Sequence, residues 1–153
     1  MSTAHIGIGS NLGEREENCL RAIELLTHEG IVVKKRSSMH ETEPWGVKDQ
    51  PRFINMVVEI ETDIGPHQLL QILKTIEQRL GRVDISRWGP RSIDLDIIFY
   101  DDLVLLDEGI QIPHPLMHLR EFVLKPLSEI APEHVHPLLK RSVKDLLRDL
   151  VSP

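Results

Sequence analysis

The sequence predicts an α+β sandwich, with an antiparallel sheet of about four main strands and helices on both sides. Two patterns lead there. Segments that alternate apolar and polar, or run apolar for a strand's length, lie at residues 5–9, 31–40, 53–62 and 93–100. Between them, apolar residues recur every three or four positions in residues 14–28, 66–81 and 119–130. Strands and helices alternate unevenly, which suits an antiparallel sheet with helical layers better than a strict parallel βαβ series. At 153 residues the chain is expected to be one domain with an ordinary core.

Residues 5–9 read as the first strand, His-Ile-Gly-Ile-Gly, and Ser10-Asn11-Leu12-Gly13 turns the chain into a helix over about 14–28. Leu20, Ile23 and Leu26 are assigned to its apolar face. Gly7-x-Gly9-x-x-x-Gly13 imitates a dinucleotide fingerprint, but the chain is short for a doubly wound domain and no βαβ series follows. Gly30 stops the helix. Residues 31–40 form a strand that carries Lys34, Lys35 and Arg36, as an edge or solvated strand does. Residues 42–51 are a Pro- and Gly-rich loop with Trp45. Residues 53–62 are a strand with Ile54, Met56, Val58 and Ile60 on one face and Phe53, Asn55 and Val57 on the other. A ring and an amide two residues apart on one face can stack on and hydrogen-bond a flat heterocycle, or be core residues with satisfied polar groups.

Gly65-Pro66 opens the next helix, with Pro in the first turn. Leu69, Ile72, Leu73, Ile76 and Leu80 make its core face; Lys74 and Glu77 lie to one side, and Gly81 ends it. In the strand at 93–100, Ile93, Leu95, Ile97 and Phe99 share one face; Asp94, Asp96, Ile98 and Tyr100 share the other. Residues 103–106 and 110–112 read as a hairpin or irregular edge pair. Pro113-His114-Pro115 holds His114 on a rigid backbone, and a helix with Arg120 and Phe122 runs from about 119 to 130. His134 and His136 are expected at the surface. His114, His118, His134 and His136 do not match a usual zinc spacing. Ser142-x-x-Asp145 resembles a capping box and opens a last helix with Val143, Leu146, Leu147 and Leu150 inward. These elements add up to a ferredoxin-like three-layer sandwich.

The chemistry concentrates in residues 81–100. Asp94 and Asp96 stand about 6.6 Å apart on one face of a strand otherwise apolar enough to be central. Two carboxylates held that close repel, and desolvation worsens it, so a cation is expected between them. Carboxylates are hard oxygen donors suited to Mg²⁺, commonly shared with substrate phosphates. Arg82, Arg87 and Arg91 precede them through a Trp-Gly-Pro turn, and arginine forks match phosphate oxygens. An acidic pair beside an arginine-rich loop is the composition for holding and cleaving a metal–polyphosphate complex. The plain alternative is a solvated acidic face paired with those arginines.

Composition excludes other classes. A net charge of −6 argues against a general nucleic-acid binder, and a metal-dependent nuclease using the same aspartates would need a basic stripe. The one cysteine, Cys19, allows no intrachain disulfide. With no signal peptide and no apolar run near 18 residues, a cytoplasmic protein with no membrane partner is expected.

Together these motifs resemble the 6-hydroxymethyl-7,8-dihydropterin pyrophosphokinases of folate biosynthesis, over nearly the whole chain. The resemblance rests on Ile8-Gly9-Ser10-Asn11-Leu12-Gly13, Thr42-x-Pro44-x-Gly46, Gln50-Pro51-x-Phe53-x-Asn55, Glu77-x-x-x-Gly81-Arg82, Arg87-Trp88-Gly89-Pro90-Arg91-x-x-Asp94-x-Asp96, and Pro113-His114-Pro115-x-Met117-x-x-Arg120-x-Phe122. It implies transfer of a pyrophosphoryl group from ATP to the pterin hydroxymethyl oxygen, with AMP as the other product. It implies that Asp94 and Asp96 hold two Mg²⁺ ions, and that Arg82 and Arg91 grip phosphates as the reaction proceeds. Phe53 and Phe122 would sandwich the pterin, and Asn55 would read its edge with backbone from Thr42, Pro44 and Trp45. Trp88 would close over the site. Lys74, Glu77, His114 and Arg120 would contact ATP, with Ile97 and residues 110–112 near the adenine. Many members carry a basic residue where this chain has Asp84, and Lys74 and Gln111 stand at positions that vary in type. A monomer is expected. The alternative class is a non-catalytic ferredoxin-like ligand-binding module, which would use only the Phe53/Asn55 face and tolerate loss of both aspartates.

Overall fold

The computed structural model describes residues 1–11, 13–42, 52–81 and 93–151. The main sheet is antiparallel, in the order β2 (Val32–Arg36), β4 (Phe53–Thr62), β1 (Ser2–Ser10), β5 (Asp94–Tyr100). A short strand, β3 (His40–Thr42), pairs with the start of β4, while β2 pairs with its later half. The sheet thus has five strands, one more than the pattern predicts, because the segment at 31–40 breaks. The cause is local. The backbone N–H of Ser37 bonds the carbonyl of Val57, but the Val57 N–H bonds the Ser37 hydroxyl, at 2.9 Å. A side chain has replaced the ladder at that point. β2 carries its basic residues on the exposed sheet edge, as expected.

One face of the sheet packs under α1 (Arg15–His28) and α2 (Pro66–Gly81). Ile6 and Ile8 of β1, Met56 and Val58 of β4, and Leu95 and Ile97 of β5 meet Ala22, Leu26, Leu69 and Leu73 there. The face of α1 differs from expectation. Cys19, Ala22, Ile23 and Leu26 are buried at i, i+3, i+4, i+7 spacing, and Leu20 is 43 % exposed. The small residues Cys19 and Ala22 carry the buried stripe that a search for large apolar side chains passes over.

The other face is covered along part of its length. α3 (Glu121–Ile130) and α4 (Val143–Val151) close Leu124, Leu127, Val143 and Leu146 over Val57, Ile98 and Phe99. Ser142 opens α4 as its pattern suggests, its hydroxyl accepting the Asp145 N–H at 3.2 Å. Leu150 is exposed. β6 (Leu105–Asp107) and β7 (Ile110–Ile112) form the expected hairpin as a separate two-stranded sheet. Among the described residues, no helix is long and apolar enough to cross a membrane.

A register shift corrects the facing of β5. Ile6 pairs with Ile97, but His5 pairs with Phe99, so Ile98 is an extra residue in the ladder. Such a bulge puts consecutive residues on one side and reverses the phase beyond it. Ile98 and Phe99 both enter the core under α3 and α4, and Tyr100 joins the core under α1 and α2. Strict alternation assigns Phe99 and Tyr100 to the opposite faces. The His5, His134 and His136 rings pack around Phe99 at 4.3–5.9 Å between centroids, and His136 is 4 % exposed, not at the surface. Burial pushes all three imidazoles below their usual value.

Candidate active site

Where α3 and α4 leave the sheet uncovered, a cavity of about 430 Å³ opens onto it. Its floor is two cross-strand rows. Gly9 of β1 lies opposite Asn55 on one side and Asp94 on the other; Gly7 lies opposite Val57 and Asp96. Strands are about 4.8 Å apart, so each row spans about 10 Å with a glycine at its centre. A Cβ at Gly9 would stand 2.8 Å from Asn55 Oδ1, and one at Gly7 would stand 3.3 Å from Ile98 Cδ1. The two glycines are therefore a bare floor between an amide end and an acid end. Their place in the sheet does not match a phosphate-binding turn at a helix start, so Gly7-x-Gly9 is no dinucleotide fingerprint. Sequence reasoning missed this use of them; the available signal was a glycine at i and i+2 inside a strand, which marks close approach of another group.

At the amide end, Asn55 is 9 % exposed and donates from Nδ2 to Thr42 Oγ1 at 3.1 Å. Phe53 and Phe122 both line the cavity. Arg120, at the N-terminus of α3, lies with its guanidinium carbon 5.5 Å from the Phe122 ring centroid, within cation–π range. At the acid end, Asp94 is half-buried and Asp96 exposed, both on the cavity wall. His114 stands beside them. Its Nδ1 accepts the Leu116 N–H at 3.2 Å, which leaves Nε2 to carry the proton when the ring is neutral. Burial lowers its imidazole value and outweighs the opposing pull of Asp96, while Arg120 adds to the lowering. The ring is thus held as a neutral donor near the anionic groups.

Eight residues expected at a site line this one cavity: Thr42, Phe53, Asn55, Asp94, Asp96, His114, Arg120 and Phe122. Three others stand apart from its lining. Ile97 is in the core under α1 and α2. Lys74 is exposed on α2, its Nζ 3.9 Å from Glu77 Oε1. Glu77 is 6 % exposed, so it does not lie to one side of the helix as its position suggests. Burial raises its carboxyl value, partly offset by the hydrogen bond from the Leu95 N–H. Pro44, Trp45, Arg82, Asp84, Arg87, Trp88 and Arg91 lie outside the described residues. Leu116, Leu119 and Val123, from the turn and helix after His114, and Ile98 of β5 add to the apolar wall.

Comparisons with known proteins agree on one family. The model of the 7,8-dihydro-6-hydroxymethylpterin-pyrophosphokinase (HPPK) family matches residues 5–132. A 2-amino-4-hydroxy-6-hydroxymethyldihydropteridine pyrophosphokinase of Aquifex aeolicus is 38 % identical over 145 residues, 95 % of this chain and 90 % of that protein. One of the same description from Bacillus subtilis is 45 % identical over 131 residues, 85 % of this chain and 78 % of that protein. A solved structure, Plasmodium falciparum HPPK-DHPS, superposes over 99 % of this chain and 45 % of its own at a TM-score of 0.79 and 16 % identity, a likeness of fold.

Proposed function

This chain belongs to the 7,8-dihydro-6-hydroxymethylpterin-pyrophosphokinase family, and from that premise we propose how its residues divide the reaction. The chain transfers pyrophosphate from ATP to the hydroxymethyl group of 6-hydroxymethyl-7,8-dihydropterin, a step of folate biosynthesis. In the proposed arrangement the pterin lies over the Gly7/Gly9 floor, between the rings of Phe53 and Phe122. Asn55, oriented by Thr42, reads its polar edge. The ATP phosphates extend toward Asp94 and Asp96, with His114 donating from Nε2 and Arg120 supplying positive charge.

The two cross-strand rows carry this reading. They bring an amide suited to a heterocycle and a carboxylate pair suited to a cation onto one sheet face, about 10 Å apart. The carboxylates fit Mg²⁺: they are hard donors at the wall of an open cavity, and their mutual repulsion is relieved by a cation. Two ions would be held by Asp94 and Asp96, and would supply charge neutralisation on the phosphate oxygens. The bond that forms joins the pterin hydroxyl oxygen to the β-phosphorus; the bond that breaks is the bridge to the α-phosphate, and AMP leaves. Asp96, the more exposed carboxylate, takes the hydroxyl proton. The residues otherwise orient the two substrates and exclude water, so no nucleophilic serine or cysteine is required. Arg82, Arg91 and Trp88 are proposed to complete the phosphate end.

Incubation with ATP, Mg²⁺ and hydroxymethyl-dihydropterin should release AMP and pterin diphosphate. ADP as the nucleotide product would overturn the proposal. Replacing Mg²⁺ by a chelator should stop turnover; undiminished turnover would remove the metal from it.

A further inference from the structure

We infer that Glu77 is a positioning residue, which sets the spacing of Asp94 and Asp96 by holding the backbone between them. β5 is the last strand of the sheet, so half of its backbone groups turn away from β1. Leu95, the residue between the two aspartates, is opposite Ile8 in β1, yet its N–H is donated to Glu77 Oε2 at 2.7 Å. Glu77 comes from the buried side of α2, which packs against β5. A helix carboxylate thus acts as the missing neighbouring strand at one N–H, directly under the acid pair. Leu95 is buried, so without this acceptor its N–H would be orphaned away from water. The start of β5 would then lose its tie to α2, and the two carboxylates their common phase.

The cavity geometry points the same way. Among the described residues, the cavity lining includes both aspartates and does not include Glu77. Its hydrogen bond from the Leu95 N–H is the contact through which it would act on the acid pair. The inference rests on the reading above in one respect, that Asp94 and Asp96 hold the cations.

Three substitutions separate anchoring from charge. Glu77→Gln keeps the length and an oxygen acceptor but removes the charge. Glu77→Asp keeps the charge but falls one methylene short of Leu95. Glu77→Ala removes both. Anchoring predicts that Gln restores wild-type behaviour and that Asp resembles Ala. Leu95 amide exchange, followed by NMR, should be about tenfold or more faster in the Asp and Ala variants and near wild type in Gln. The Mg²⁺ concentration for half-maximal turnover should rise about tenfold or more in the same two variants, with KM for ATP at saturating Mg²⁺ little changed.

The opposite order, with Asp near wild type and Gln impaired, would overturn the inference in favour of a charge contact. Unchanged Leu95 exchange in Glu77→Asp would also overturn it. So would faster exchange with an unchanged Mg²⁺ requirement, since Glu77 would then be a structural residue alone. If Glu77→Ala does not fold, the Gln and Asp pair carries the same decision. Absence of AMP from the wild type would sink the assigned reaction but leave the exchange result to stand by itself.

Discussion

The two faces of one sheet are built from the same strands and serve opposite ends. On the face under α1 and α2, the inward positions at the middle of β1, β4 and β5 are apolar and buried beneath the helices. On the other face, the same strands present Gly7, Gly9, Asn55, Asp94 and Asp96 toward one end and Phe99 toward the other, with Val57 and Ile98 at the boundary, shared by cavity and core. α3 and α4 cover only the apolar end. The difference teaches where stability is concentrated: the closed face holds the strands in register, so the open face can keep two like charges and a bare glycine floor that would not stabilise a fold by themselves.

The largest effect expected from breaking that contrast is at the acid pair. Asp94→Ala or Asp96→Ala should lower turnover by about a thousandfold or more, and Asp96→Ala should leave the melting temperature nearly unchanged or slightly raised, because repulsion is relieved. Calorimetry beside an AMP-release assay reads both; a variant that melts early would make the pair structural. Leu73→Ala on the closed face should do the reverse. Leu73 is fully buried, so its truncation should cost about 2–5 kcal/mol of stability, with turnover per folded molecule preserved. Denaturant titration with active-site counting separates the two.

Smaller effects sharpen the comparison within the open face. Gly9→Ala should reduce kcat/KM for the pterin by about tenfold or more, since its Cβ would meet Asn55 Oδ1 at 2.8 Å. Gly7→Ala should do less, because the facing atom is the flexible end of Ile98 at 3.3 Å. Equal losses would remove Asn55 from pterin recognition. The smallest effect is in the covered end. Burial lowers His5, His134 and His136 below their ordinary value of 6.5, so the unfolded chain binds more protons than the folded one as pH falls through that value. Stability should be full above about pH 6.5 and decline from there toward the lower folded values. Glu129 of α3, which accepts the Ser38 N–H at 2.7 Å, has its carboxyl lowered from 4.5 despite the opposing effect of burial, so its contribution is lost only at more acid pH. A melting temperature that stays flat between about pH 7 and pH 5 would show that these rings titrate as they do in water.

Much of this was legible in the chain itself. The faces of β4 and the first half of β5 follow from alternation, and Ser142 opens its helix as its motif suggests. The approximate bounds of α1 and α2 follow from apolar periodicity, and the eight residues that share the cavity follow from the motifs and the family resemblance they carry. What failed was local in cause. Cys19 and not Leu20 lies on the buried stripe of α1, because a small side chain fits the close approach of helix to sheet. Phe99 and Tyr100 changed faces because one extra residue, Ile98, reverses the phase of a strand. His136 is expected at the surface and Glu77 to one side of its helix, yet one packs on Phe99 and the other accepts the Leu95 N–H.

The one-dimensional pattern by itself decided most of the element types and apolar stripes, and the spacing of Asp94 and Asp96 on one strand face. Each depends on neighbours a few positions apart, within reach of a helix turn or a strand repeat. Tertiary structure alone decided that Gly7 and Gly9 form a floor between Asn55 and the aspartates, and that a bulge turns the end of β5. It alone brought Glu77 to the backbone of Leu95, 18 residues away. Those are matters of register between strands and of helix placement over a sheet edge, where partners remote in sequence compete for the same hydrogen bonds and the same space.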